Sequence, residues 1–248
     1  MSRATAAGGS ASKLERGLIW FMLFAFASGA LAHTLPAVLP ITRYTTDALL
    51  LVLNGLLLYA VYQRNQDQRL LLWLAIAYCF TFAAEAVGVA TGALFGEYAY
   101  GATMRWQWLG VPFVIALNWC ALTLATNMLA LHFFAVKRFT TEDTGVPQRK
   151  RPGTEEYDLN WSKSVSAALL ASIFIALYDV AIEPVAIKLD YWQWGGGTIP
   201  LQNYLMWAVV AFLISLPLQL LNIRFRSPLL LVYLAAQLFF FLVLNLVL

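Results

Sequence analysis

Residues 163–187 read KSVSAALLASIFIALYDVAIEPVAI, a run whose only charges are Lys163 at its start and Asp179 and Glu183 near its end. A run this long and this apolar matches the roughly 20 residues that a helix needs to cross the hydrocarbon of a bilayer. Working outward from it, six more such runs appear, at about 16–39, 46–63, 69–94, 109–136, 203–222 and 227–247. Hydrocarbon offers no hydrogen bonds to the backbone, so each run is expected to satisfy its own peptide groups as a helix. The fold class is therefore all-α, a polytopic membrane bundle of about seven transmembrane helices forming one integral membrane domain over 1–248.

The composition agrees. Of 248 residues, 61% are hydrophobic and only 12% charged, more apolar than a soluble domain can hide from water. The net charge of +3 gives no reason to expect nucleic acid as a partner. In such a chain, positive residues report first on orientation. On a seven-helix reading the N-terminal side carries thirteen of the sixteen Lys and Arg residues, among them Arg3, Arg64, Arg69, Arg149 and Arg224. The other side carries only Arg43, Arg105 and Lys188. The expectation is a multi-pass cell-membrane protein with its N-terminus in the cytoplasm. The first run also has features of a signal peptide, with Arg3, Lys13 and Arg16 ahead of it and a cleavage-like Ala30-Leu31-Ala32. Because the apolar stretch continues past that point, it is expected to remain as a helix. Residues 137–162, with Pro147, Pro152 and mixed charge, are expected to form a flexible cytoplasmic linker between helices 4 and 5. Cys79 and Cys120 lie within apolar runs and suggest no disulfide framework, and His33 and His132 stand alone, so no metal site is expected.

Three acids lie where charge is costly: Glu85 in helix 3, and Asp179 and Glu183 in helix 5. A carboxylate in hydrocarbon costs roughly 2.5–3.5 kcal/mol even on lenient scales, so each needs a partner, a proton or a cavity. One such acid is as readily explained by a hydrogen bond that locks two helices together; three at a matched depth point to a site. Glu85 lies 16 residues beyond Arg69 and Asp179 lies 16 beyond Lys163, which places both roughly 24 Å across a core of about 30 Å. Asp179 and Glu183 share a helix face by their i,i+4 spacing, and Pro184 loosens the backbone beside them. No Lys or Arg lies deep in a span, so at least one acid is expected to hold its proton. The site is thus expected toward the outer half of the membrane.

The segments beside these acids are rich in aromatic and small residues. Residues 85–101 read EAVGVATGALFGEYAYG, with Gly88, Gly92 and Gly96 spaced to permit close helix approach. Residues 190–204 read DYWQWGGGTIPLQNY. Tyr98, Tyr100, Trp192, Trp194, Asn203, Tyr204 and Trp207, with Asn118 and Trp119 from helix 4, are candidate substrate-binding residues. Aromatic residues also gather in membrane belts, but here they flank the buried acids.

At these residues the chain resembles a known family. E-x-x-G-x-x-x-G-x-x-F-G-x-Y-x-Y at 85–100, V-P at 111–112, N-W at 118–119, D-x-x-x-E-P at 179–184 and W-x-W with I-P-L-Q-N-Y at 192–204 are similar to the CruF-type carotenoid 1,2-hydratases. The resemblance spans helices 3 to 6. It implies addition of water to the terminal 1,2 double bond of an acyclic carotenoid end, giving a tertiary alcohol. It also implies a lipophilic carotenoid as substrate within membrane lipid, other carotenoid-pathway enzymes as possible partners, and no cofactor. The residues suit that chemistry. An isolated alkene is a poor base and needs a desolvated acid, and a tertiary cation is stabilised by aromatic faces. On this reading Asp179 is the general acid, with Glu183 and Glu85 tuning it or holding the water. A carotenoid cyclase would begin with the same protonation, and a proton-coupled transporter would also place acids in a bundle, although the inner half is nearly bare of ionisable groups.

Overall fold

The computed structural model describes residues 13–134 and 161–248. Its seven long helices are α1 (Lys13–His33), α2 (Leu39–Asn65), α3 (Gln68–Thr91), α4 (Phe113–Phe134), α5 (Trp161–Lys188), α6 (Leu201–Leu220) and α7 (Pro228–Val247). All seven are long and apolar enough to cross a membrane, and the protein is a multi-pass membrane protein. Most of the linker expected at 137–162 lies outside the described residues; Trp161 and Ser162 open α5.

Helix ends follow local chemistry. The first run breaks earlier than its hydropathy suggests, at His33, because the residue before Pro36 is biased away from helical dihedrals. Then α2 restarts with Pro40 in its first turn, where a missing N–H is harmless. Asp67 caps α3 and Ser227 caps α7, each side chain accepting from the backbone N–H two residues on. Gly92 ends α3 in the left-handed region, φ +67°. The glycine series 88, 92, 96 therefore does not line a helix–helix seam. Only Gly88 is helical, and it makes room for the Phe95 ring from the following turn.

The molecule is inside-out relative to a soluble bundle. Trp20, Phe24, Leu72, Ile76, Leu177, Leu213 and Leu246 are exposed on the outside, as lipid contact requires. The centre is α4, buried without a break from Trp119 to Asn127, and it packs on α2, α3, α5, α6 and α7. One end of the bundle is tied by Arg64 to Glu15 (2.8 Å), Arg69 to the carbonyls of Leu221 and Asn222, and Arg224 N–H to Asp67. At the other end Arg105 bonds Asp47 and lies 3.7 Å over the Tyr44 ring, and Arg43 donates to the Lys188 carbonyl. The three basic residues that the sequence assigns to the second side thus share one end.

That second end carries structure beyond the seven helices. Strand β1 (Tyr98–Tyr100) pairs antiparallel with β4 (Trp192–Trp194), and β2 (Gln107–Trp108) pairs with β3 (Val111–Pro112). The 3–4 connection therefore does not extend α4 back to residue 109, since Val111 and Pro112 are in a strand.

Candidate functional site

The β1–β4 ribbon explains the aromatic clustering. Side chains alternate across a strand, so Tyr98 and Tyr100 point one way from β1, and Trp194 and Trp192, their direct partners, point the same way from β4. Ala99 and Gln193 take the opposite, exposed face. The Y-x-Y and W-x-W patterns are thus two halves of one four-ring surface. Gly101 and Tyr191 extend the pairing by a backbone hydrogen bond of 2.9 Å.

This surface faces the acids. Glu85, on the last turns of α3, is only 3% exposed. Its Oε2 accepts from the Tyr98 hydroxyl at 2.5 Å and the Tyr100 hydroxyl at 2.8 Å, and its Oε1 from the Trp119 indole at 2.9 Å. Glu183 on α5 has a parallel environment. Its Oε2 accepts from the Trp192 and Trp194 indoles at 2.9 and 3.0 Å, and its Oε1 from the Asn203 amide at 3.1 Å. The same amide donates to Asp179 Oδ2 at 2.5 Å, while Asp179 Oδ1 is buried without a hydrogen-bond partner among the described residues. Burial, then the neighbouring Glu85, push the Tyr98 and Tyr100 phenols well above their ordinary range, so both remain neutral donors. Among the described residues the ion pairs involve Glu15, Asp47 and Asp67. None involves these three acids.

All seven helices and the ribbon contribute to the lining of one cavity. Ten of the twelve residues singled out in the sequence line it: Glu85, Tyr98, Tyr100, Asn118, Trp119, Glu183, Trp192, Trp194, Asn203 and Trp207. Trp119 and Trp207 stack with ring centres 4.0 Å apart. The other two do not reach the wall. Asp179 is fully buried behind it, joined to Glu183 through Asn203, and Tyr204 lies on α6 outside the lining.

The structure adds residues that sequence reasoning passes over. The Tyr178 hydroxyl donates to Gln237 Oε1 at 2.6 Å, the Gln237 amide donates to Asn118 Oδ1 at 3.2 Å, and the Tyr233 hydroxyl donates to the same oxygen at 2.5 Å. This chain joins α5, α7 and α4; Gln237, one of two amides in the otherwise apolar α7, is the signal by which the sequence could have shown it. Phe26, Phe240 and Phe241 form an aromatic corner between α1 and α7, so the helices without a recognised motif build much of the apolar wall.

A cavity walled by rings, with carboxyl groups held by neutral donors, suits proton chemistry on a lipophilic molecule. The family model described as "Carotenoid biosynthesis protein" matches residues 46–248. The chain belongs to the carotenoid biosynthesis protein family. The match takes in the ribbon, all three acids and both tryptophans of the stacked pair; α1 precedes it. Searches of curated proteins and of solved structures returned no match. The family's description points to carotenoids as the substrate class.

Proposed function

We propose that this protein is a CruF-type carotenoid 1,2-hydratase, adding water across the terminal double bond of an acyclic carotenoid end. One observation carries the reading: Glu85 and Glu183 face one aromatic cavity, each held by three neutral donors, with no cation paired to either among the described residues. A phosphate-binding or other anion site would need positive charge at its centre. A site that lends a proton to a hydrocarbon needs an acid, a dry wall and π-rich neighbours.

In this mechanism Asp179 and Glu183, on successive turns of α5 and bridged by the Asn203 amide, hold one proton between them. Glu183 faces the substrate and hands the proton to C2, and Asp179 keeps the pair loaded from behind. The sequence reading gives the acid role to Asp179 alone; burial behind the wall favours its acting through Glu183. The cation formed at C1 is stabilised by the indole and phenol faces of the ribbon, by Trp119, and by the Glu85 carboxylate. Water forms the C1–O bond and returns a proton to Glu183, so atoms and charge balance without a cofactor. The apolar wall of α1, α2 and α7 accommodates the polyene.

The test is expression in a host that accumulates an acyclic carotenoid, with mass analysis of the extracted pigments. A new pigment heavier by one water supports hydration. A new pigment of unchanged mass indicates a cyclase, and unchanged pigments across several acyclic precursors sink the reading.

A further inference from the structure

A hydratase with a largely apolar cavity must also bring its second substrate, water, to the cation. At the ribbon end of the bundle, the buried His33 Nε2 and Arg43 Nε have no hydrogen-bond partner among the described residues, and the buried Tyr191 hydroxyl has only the Thr46 side chain beside it. His33 is 4% and Tyr191 2% exposed, and both line the cavity, as does Thr46. Buried polar groups in native proteins nearly always find a partner, and when protein supplies none, water does.

The donor and acceptor pattern is specific. His33 Nδ1 lies 2.7 Å from the Gly29 carbonyl, which can only accept. Nδ1 therefore carries the proton of the neutral ring, and Nε2 presents a bare lone pair. The Tyr191 hydroxyl is held in its protonated form first by burial and can donate or accept, whereas Arg43 Nε–H only donates. Arg43 lies within electrostatic reach of both His33 and Tyr191, and its other arm is fixed on the Lys188 carbonyl at 3.1 Å. Thr46 is a hydrogen-bond neighbour of the phenol, and because its own proton goes to the Thr42 carbonyl at 2.7 Å it can accept from Tyr191 and leave the phenol oxygen open. An acceptor, a donor and a hydroxyl able to act as either match a water molecule, which typically makes about three hydrogen bonds when buried.

We infer that His33, Arg43 and Tyr191 form the site that binds water for the hydration step. The inference rests on the hydratase reading. The Tyr191 and Trp192 rings lie 6.3 Å apart, and the Trp192 indole bonds Glu183, which ties the site to the reacting acid. Water leaving this site attacks C1, and the proton it sheds goes to Glu183, which has just given one to C2. His33 comes from α1, outside the matched family region. It is a positioning residue for the water and takes no part in the protonation.

The two half-steps can be measured apart in heavy water. Protonation of C2 followed by proton loss returns the alkene carrying deuterium, whereas capture by water gives the alcohol. For Tyr191→Phe and His33→Leu, hydration should fall about tenfold each, the size of one lost hydrogen bond to the reacting water, while deuterium in the recovered carotenoid is maintained or rises. His33→Gln, which keeps an acceptor, should recover part of the loss and serves where His33→Leu inserts poorly. Unchanged hydration in Tyr191→Phe overturns the assignment, as does a parallel fall of hydration and deuterium uptake in both variants. A wild-type protein that neither hydrates nor exchanges deuterium instead sinks the hydratase reading itself.

Discussion

Glu183 is where the chemistry concentrates. It sits one turn beyond Asp179, shares the Asn203 amide with it, and takes both ribbon indoles on one oxygen. Glu183→Gln keeps the shape and removes the transferable proton, and hydration should fall about 10²–10⁴-fold, the usual range for a general acid. Asp179→Asn should give a loss of similar order with normal membrane insertion, read as alcohol formed per amount of inserted protein. Near-normal turnover in Asp179→Asn would remove it from the proton-holding pair. These acids are legible in the sequence because any carboxyl in an apolar run needs a reason. Their separate settings are not: nothing in the spacing tells that Glu183 reaches the cavity wall and Asp179 stops behind it, since that depends on which way α5 turns against α6. Tyr191 and Gln237 escape notice, and His33 reads only as an isolated histidine, for a related reason, because a single polar residue at a helix end or in a span acquires meaning only from what packs opposite.

Two elements hold this arrangement in place, one at each end of the bundle. The ribbon depends on Gly101, where a Cβ would run into the Asp190 backbone carbonyl. Gly101→Ala should cost about 1–3 kcal/mol of stability through overpacking and displace the four rings, seen as a lower unfolding temperature and slower hydration together. At the opposite end Asp67 caps α3, accepts from the Arg224 N–H and pairs with Arg69 at 2.7 Å. Hydrogen bonding to the Arg69 guanidinium holds the Asp67 carboxyl down at about 2, against an ordinary 3.8. Its contribution is fully present above about pH 4 and lost as pH falls toward 2. Asp67→Ala should cost about 1 kcal/mol at neutral pH, as for other lost caps, and less near pH 2, measured by unfolding in detergent at both values. Among the elements, the helices are plain from hydropathy alone. The strands are hidden because three-residue alternations such as Y-x-Y and W-x-W are too short to stand out, and because their pairing joins segments about ninety residues apart.

At the scale of the whole molecule, the site lies at one end of a bundle whose ends differ in charge. We propose that the end with Arg64, Arg69 and Arg224 faces the cytoplasm, because loops rich in Lys and Arg stay inside, and that the site opens toward the outer half. In a background lacking Cys79 and Cys120, a thiol at Gln66→Cys should react with a membrane-impermeant reagent only after permeabilisation. A thiol at Gly196→Cys, in the exposed 5–6 connection, should react in intact cells. The reverse pattern would invert the proposed topology. The central claim is that water itself becomes part of the product, and its most direct test uses water enriched in heavy oxygen. Purified protein given an acyclic carotenoid in that medium should yield an alcohol carrying one heavy oxygen for each end hydrated. A product without the label, or a new carotenoid containing no added oxygen at all, would contradict the account.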